Sequence, residues 1–190
     1  MTELLHFDQY LFHLINSGWQ NPFFDVLMPL LRNKYTWVPF YLFLLVFLLV
    51  NFQKTGVYLI LALVLTVGLT DMTSSHLIKK TVKRLRPCKV LEQPEDMRLL
   101  VPCGSGYSFP SSHAANHFAM AVFLSLALGR PYRWLWPVLI CWAASIALAQ
   151  IYVGVHFPVD AVAGALLGTL LAWAVQACTK RLIQWQADIH

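Results

Sequence analysis

The sequence predicts an all-α fold: a polytopic membrane helix bundle of about five transmembrane helices, preceded by N-terminal interfacial helices. Two observations carry this. Of the 190 residues, 58% are hydrophobic and only 12% are charged, where soluble domains carry about 25% charged residues. The apolar residues also fall in long uncharged runs, as a bilayer core demands. The length suits one domain, read as a single membrane-embedded unit: an interfacial segment over 1–34, a transmembrane core over 35–178 and a polar tail over 179–190. The net charge of +5 would hint at nucleic acid in a soluble chain. Here basic residues at membrane edges account for it, and no nucleic-acid partner is expected. No basic start precedes a short apolar core within Met1–Leu14, so no cleaved signal peptide is expected.

Along the chain, Leu4, Leu5, Phe7, Leu11, Phe12 and Ile15 are interrupted by Glu3, Asp8 and Asn16. This predicts an amphipathic helix lying on the bilayer. Asn21–Leu31 is too short to cross, and reads as a second interfacial or half-buried segment ending at Arg32. Trp37–Phe52 is uncharged with aromatics at both ends, as interfaces favour, and forms the first span. Asn51–Thr55 is a polar turn. Gly56–Thr70 begins the second span, expected to continue as helix through Ile78 into Lys79–Arg84. Asp71, Ser74, Ser75 and His76 then sit at depth and face protein or water. Pro87–Phe109, with its prolines and glycines, is a loop. Ser111 or Ser112 is a good N-cap for a third span from His113 to Leu128. Gly129–Arg133 is a turn, Trp134–Val155 the fourth span and Pro158–Cys178 the fifth. Pro158 suits a first helical position, and Asp160 falls in that first turn, where the helix dipole favours a carboxylate. Gly164-x3-Gly168 permits close helix packing, read as packing within the subunit; the oligomeric state stays open.

About five spans bring three places to one membrane face: Lys79–Pro87, Pro110–His113 and Gln150–Asp160. In the first, Lys79 and Arg86 share a face of a continued helix and form an anion clamp. Alone, the pair reads as ordinary interfacial anchoring. In the second, Ser hydroxyls and N–H groups at a helix start can hold an oxyanion, and His113 is placed as a general acid. Alone, it reads as a cap followed by a structural histidine. In the third, Asp160 orients His156 and stabilises it when positive, as a nucleophilic or basic histidine needs. Alone, it is a polar pair closing a loop.

Together the motifs read Lys-x6-Arg-Pro, Pro-Ser-Ser-His and His-x3-Asp, in that order. The chain resembles the type 2 phosphatidic acid phosphatase superfamily, which also contains the vanadium haloperoxidases, over about Asp71–Gly168. The resemblance implies a membrane lipid phosphatase of the bacterial branch. His156 would be the nucleophile forming a phosphohistidine, Asp160 its orienting partner and His113 the acid that protonates the leaving oxygen and then activates water. Lys79, Arg86, Ser111 and Ser112 would cradle the phosphate. No metal and no cofactor are implied. His113 and His117 have a spacing seen in zinc sites, but no Glu follows His113, and His117 reads as a supporting residue.

Two departures stand out. Ser112 replaces the family's Gly. Gln150, preceded by Ala149, stands where the family has Ser-Arg, which removes one charge from the cradle while leaving two amide donors. Cys88 and Cys103 flank the loop on the same face. They read equally as a disulfide, which needs an oxidising compartment, or as two unpaired thiols.

The family precedents put a phosphorylated or pyrophosphorylated lipid in the site. Undecaprenyl diphosphate comes first, with phosphatidylglycerophosphate, phosphatidate and lipid A phosphates as alternatives. A non-catalytic lipid-phosphate binder or transporter is the rival from another class. The expected location is the bacterial inner membrane with the site facing the periplasm, although nine basic residues on that face against five on the other run contrary to the positive-inside rule.

Overall fold

The structure is a computed structural model and describes residues 2–90, 97–129 and 132–187. The described residues form helices α1 (Thr2–Asn16), α2 (Pro22–Arg32), α3 (Val38–Asp71), α4 (Lys79–Val82), α5 (Pro87–Val90), α6 (Ser112–Leu128), α7 (Leu135–Tyr152) and α8 (Pro158–Ala187). A 3-10 turn, Lys34–Trp37, precedes α3, and a π-helical stretch, Met72–Ile78, links it to α4. Among the described residues, three stretches are long and apolar enough to cross a bilayer: Lys34–Val90, Leu135–Tyr152 and Pro158–Thr179. Ser112–Leu128 is apolar but shorter.

The first of these stretches is not one rod. At Gln53 the backbone takes φ 48° and ψ −120°, and the chain folds back at the polar turn the sequence predicts. Leu44 and Leu48 before the break share a cluster with Leu59 and Leu63 after it. The arms touch so closely that a Cβ on Gly56 would lie 2.1 Å from the Leu48 carbonyl oxygen.

Helix α6 is the hub, packed against α8, α7 and α3. In lipid, helices associate by close packing rather than by a hydrophobic drive, so small residues gather at their contacts. Ala114, Ala115, Ala119 and Ala121 of α6 are fully buried. Gly164 and Gly168 of α8 meet this face: a Cβ on Gly168 would lie 2.0 Å from the Ala115 carbonyl oxygen. The Gly-x3-Gly pair thus serves packing inside the subunit.

Helix α1 forms where the sequence predicts it, but its orientation follows a different logic. Leu4, Leu5, Phe7 and Leu14 are exposed, while Asp8 and Asn16 are buried. A helix bordered by lipid turns its polar side chains toward protein, so two of the three interruptions, Asp8 and Asn16, are its anchors, beside the buried Phe12, while Glu3 is exposed. Asn16 donates to the carbonyls of Tyr152 (2.6 Å) and Arg98 (2.8 Å) and accepts from the Arg98 N–H (2.7 Å). Asp25 of α2 pairs with Arg98 at 2.6 Å and accepts from the Tyr152 hydroxyl at 2.7 Å. The Arg98 hydrogen bond holds the Asp25 carboxyl below its usual range. The two N-terminal helices thereby strap the segment after Met97 to the α7–α8 junction.

The expected loop Pro87–Phe109 opens with the short helix α5, and three boundaries also differ from the sequence expectation. The helix carrying Lys79 stops at Val82, because Lys83 turns left-handed (φ 52°). Helix α7 ends at Tyr152 rather than Val155, ahead of Gly154 at φ 88°. A side chain at Gly154 would also strike the Arg98 carbonyl oxygen at 2.5 Å. Helix α8 continues through the expected polar tail to Ala187; residues 188–190, and 130–131 of the expected turn, lie outside the described residues.

Cys88 and Cys103 are disulfide-bonded, with Cα atoms 6.1 Å apart, and Cys141 and Cys178 are free and exposed. Closing a loop with a sequence separation of 15 restrains the unfolded chain by roughly 3 kcal/mol in the entropy model. Protein isolated from its native membrane without reductant should therefore present two thiols to maleimide, and reduction should lower its melting temperature in detergent. Four reactive thiols would contradict the bond.

Candidate active site

The three motif segments meet at one end of the bundle, and each is built by local backbone chemistry. The first leaves α4 through the left-handed turn at Lys83 and runs Arg84-Leu85-Arg86. Buried Ser108 fixes it: its N–H donates to Arg84 O at 2.8 Å and its hydroxyl to Leu85 O at 3.0 Å. Lys79 and Arg86 therefore do not share a helix face, which corrects the sequence reading; a turn lies between them. The charge of Arg86 still reaches Lys79.

The second segment starts α6. Ser111 is the N-cap, its hydroxyl accepting from Ala114 N–H at 3.4 Å, and its own N–H donates to Asp160 O at 2.8 Å. The Ser112 hydroxyl bonds the hydroxyls of Ser75 (2.9 Å) and Ser74 (3.1 Å) on the π-helical stretch. Both serine hydroxyls thus have protein partners. What α6 offers an anion is its first backbone N–H groups, which have no carbonyl partner within the helix. Asp71 joins the same support, accepting from Asn116 at 3.0 Å.

The third segment turns at Gly154 and places His156 at 1% exposure and Asp160 at 0%. The Arg86 guanidinium donates to Val155 O (3.1 Å) and Gly106 O (3.1 Å), and its Nη1 lies 3.3 Å from His156 Nε2. The other ring nitrogen, Nδ1, lies 3.6 Å from Asp160 Oδ2, close enough for charge attraction and outside hydrogen-bond range. Burial, the largest influence, pushes the His156 imidazole down to about 4, with Asp160 opposing and Arg86 assisting. The ring is neutral at pH 7, with one nitrogen facing the cation and the other facing the carboxylate.

Asp160 is fully engaged. Its Oδ2 accepts from the Phe157 N–H at 2.9 Å and its Oδ1 from Arg84 Nη1 at 2.7 Å. Arg84 also pairs with Asp8 of α1. Sequence reasoning missed both Arg84 and Asp8. A buried carboxylate requires a cationic or multi-donor partner, and that requirement was the available signal for Arg84, two residues before Arg86. Nothing in the local sequence marks Asp8.

His113 stacks on His117, the rings 6.5 Å apart and nearly parallel. His117 has both nitrogens occupied, by the Tyr41 hydroxyl at 3.1 Å and the His113 carbonyl at 2.7 Å. With Ser112, Asn116 and His117, His113 lies along an apolar groove of about 770 Å³ between the arms of α3 and α6. The charges of Arg32 and Lys79 reach it. Arg32, at the end of α2, was also missed. Its Nε is buried without a partner among the described residues, and burial together with the charge of Arg86 lowers its basicity.

Gln150 is 0% exposed, and neither amide atom bonds the described residues. Its backbone carbonyl accepts from the Val155 and His156 N–H groups at 3.2 and 3.3 Å. It therefore sits directly behind His156.

Residues 55–184 match the PAP2 superfamily. The chain is 36% identical over 163 residues to a lipid A 4'-phosphatase of Bacteroides thetaiotaomicron, covering 84% of this chain and 72% of that protein. It is 32% identical to an undecaprenyl-diphosphatase of Sulfolobus acidocaldarius, covering 88% and 76%. The crystal structure of Aquifex aeolicus LpxE superposes with a TM-score of 0.66 at 31% identity, over 88% of this chain and 93% of that one. A PAP2-type phosphatidylglycerolphosphate phosphatase from Bacillus subtilis shares the fold, with a TM-score of 0.72 at 19% identity over 95% and 88%.

The unpaired Gln150 amide generates a prediction. A buried polar group without a partner costs about 1–3 kcal/mol, so Gln150→Leu should leave the melting temperature unchanged or raised. If the amide serves phosphate, the same variant should weaken inhibition by orthophosphate and vanadate. A destabilised protein with wild-type inhibition would show instead that the amide serves the fold.

Proposed function

Since the chain belongs to the PAP2 superfamily and is a membrane phosphatase of lipid phosphates, we propose that it releases the phosphate monoester of a lipid A-type glycolipid, without a metal, through a phosphohistidine at His156. The observation that carries this reading is the two-sided setting of His156, with Arg86 at Nε2 and Asp160 at Nδ1.

The Nε2 lone pair attacks phosphorus, and an N–P bond forms as the bond to the lipid oxygen breaks. That oxygen takes a proton from His113. Asp160 offsets the positive charge that His156 acquires. Water then attacks phosphorus, His113 accepts its proton, the N–P bond breaks and inorganic phosphate leaves. Phosphoryl transfer asks mainly for positioning and charge neutralisation. Lys79, Arg86 and Arg32 supply the cations, with Arg32 covering the charge that Gln150 does not. Ser111 and Ser112 shape the cradle through the start of α6, and Gln150 adds its neutral amide. The groove beside His113 suits an apolar chain.

The likeness to lipid A 4'-phosphatase favours a monoester, and so does a cradle in which Gln150 replaces a cation, because a diphosphate carries more negative charge. The second reading is undecaprenyl diphosphate, placed first by sequence alone and favoured by the likeness to the Sulfolobus enzyme. For location, the reading is an inner-membrane protein with its site toward the periplasm. The Cys88–Cys103 bond supports an oxidising side. Of the nine basic residues on that face, Arg84 and Arg98 are held in ion pairs, and Lys79, Arg86 and Arg32 are assigned to the cradle, which leaves four against the five on the other face.

Phosphate release from lipid A, undecaprenyl diphosphate, phosphatidylglycerophosphate and phosphatidate, compared between wild type and His156→Ala, tests the proposal. Lipid A should be the preferred substrate, excess chelator should leave its turnover intact, vanadate should inhibit, and His156→Ala should be inactive. Preference for undecaprenyl diphosphate would select the second reading. Activity in folded His156→Ala would remove the phosphohistidine, and loss in chelator restored by a divalent metal would remove metal independence.

A further inference from the structure

We propose that Asp8 and Arg84 are positioning residues for Asp160 and, through it, for His156, so that the N-terminal helix α1 belongs to the reaction machinery; this rests on His156 being the nucleophile. Asp8 and Asp160 are 1% and 0% exposed, and such burial is tolerable for a carboxylate only when it is paired and hydrogen-bonded. One guanidinium meets both: Arg84 Nη1 binds Asp160 Oδ1 at 2.7 Å and its Nη2 binds Asp8 Oδ2. The fork is held from behind, with its central carbon 4.4 Å from the centre of the Phe157 ring and its backbone carbonyl bonded to Ser108 N–H. Asp8 Oδ1 accepts the N–H of Val159 at 2.9 Å, so α1 grips the helical turn that carries Asp160. With Oδ1 spoken for, Oδ2 remains toward His156.

The charge count gives Asp8 a role beyond holding the turn. Arg84 and Asp160 alone are neutral as a pair, so Arg84 weakens the offset that Asp160 gives to the charge His156 gains on taking a phosphoryl group. The second carboxylate brings the three-residue cluster to a net charge of −1, retained beside the ring. Asp8 lies outside residues 55–184, the part of the chain that matches the family.

The test uses the full chain in detergent with the preferred lipid phosphate. Asp8→Asn keeps the shape and removes the charge and one of the two hydrogen bonds. Its kcat should fall about ten- to a hundredfold, on the scale seen when the partner behind a metal-bound histidine is removed, while KM stays within about twofold because the charge acts in the transition state. Arg84→Ala should fall at least as far and regain activity with millimolar methylguanidinium, which fits between the two carboxylates; the same additive should do nothing for His156→Ala. Wild-type kcat in folded Asp8→Asn, a loss confined to KM, or folded Arg84→Ala that ignores methylguanidinium would overturn the proposal. Activity in His156→Ala would instead strike the phosphohistidine reading on which it rests.

Discussion

The structure depends on keeping one carboxylate, Asp160, ionised where no solvent reaches it. A lone buried charge costs several kcal/mol even after the protein relaxes around it. Four elements meet that demand: Phe157 N–H from its own turn, Arg84 from the segment after α4, Asp8 from α1 through Arg84, and the His156 ring at Nδ1. The backbone of Asp160 is used as well, its carbonyl accepting from Ser111 at the start of α6. The chain thus converges on the first turn of α8 from every side.

The packing of the bundle serves the same convergence. The start of α6 can touch that turn because α6 and α8 lie backbone to backbone, with Gly164 against the Ser111 carbonyl and Gly168 against the Ala115 carbonyl. Ser112 then ties α6 to the π-helical stretch preceding Lys79, and Arg86 ties the first segment to the third through Val155 O. Each motif is fixed by a bond to another, which is how side chains remote in sequence are held to the tolerance that phosphoryl transfer needs.

Much of this was legible in the sequence, for identifiable reasons. The apolar runs gave the helices of the bundle, Pro158 and Ser111 marked helix starts through ordinary terminal preferences, and chain order alone gathered the three motifs at one end. What was not legible depends on tertiary context. Lys83 ends its helix in a left-handed turn without a glycine to announce it. The inward face of α1 could not be read from amphipathicity, because it combines Asp8 and Asn16 with the apolar Phe12, so the two polar residues looked like interruptions. Arg84 looked like one more basic residue at a membrane edge. The Gln150 departure was visible, but that its amide lies buried and unpaired follows only from the fold.

The most direct measurement is to turn over an isotopically labelled lipid phosphate, quench during the steady state under alkaline conditions that preserve a P–N bond, and map the label by peptide mass spectrometry. A phosphoryl group on the peptide carrying His156 in the wild-type protein, absent from folded His156→Ala, is the expected result. Label on another residue, or full turnover with no covalent label at any time, would contradict the assignment of His156 as the phosphoryl acceptor.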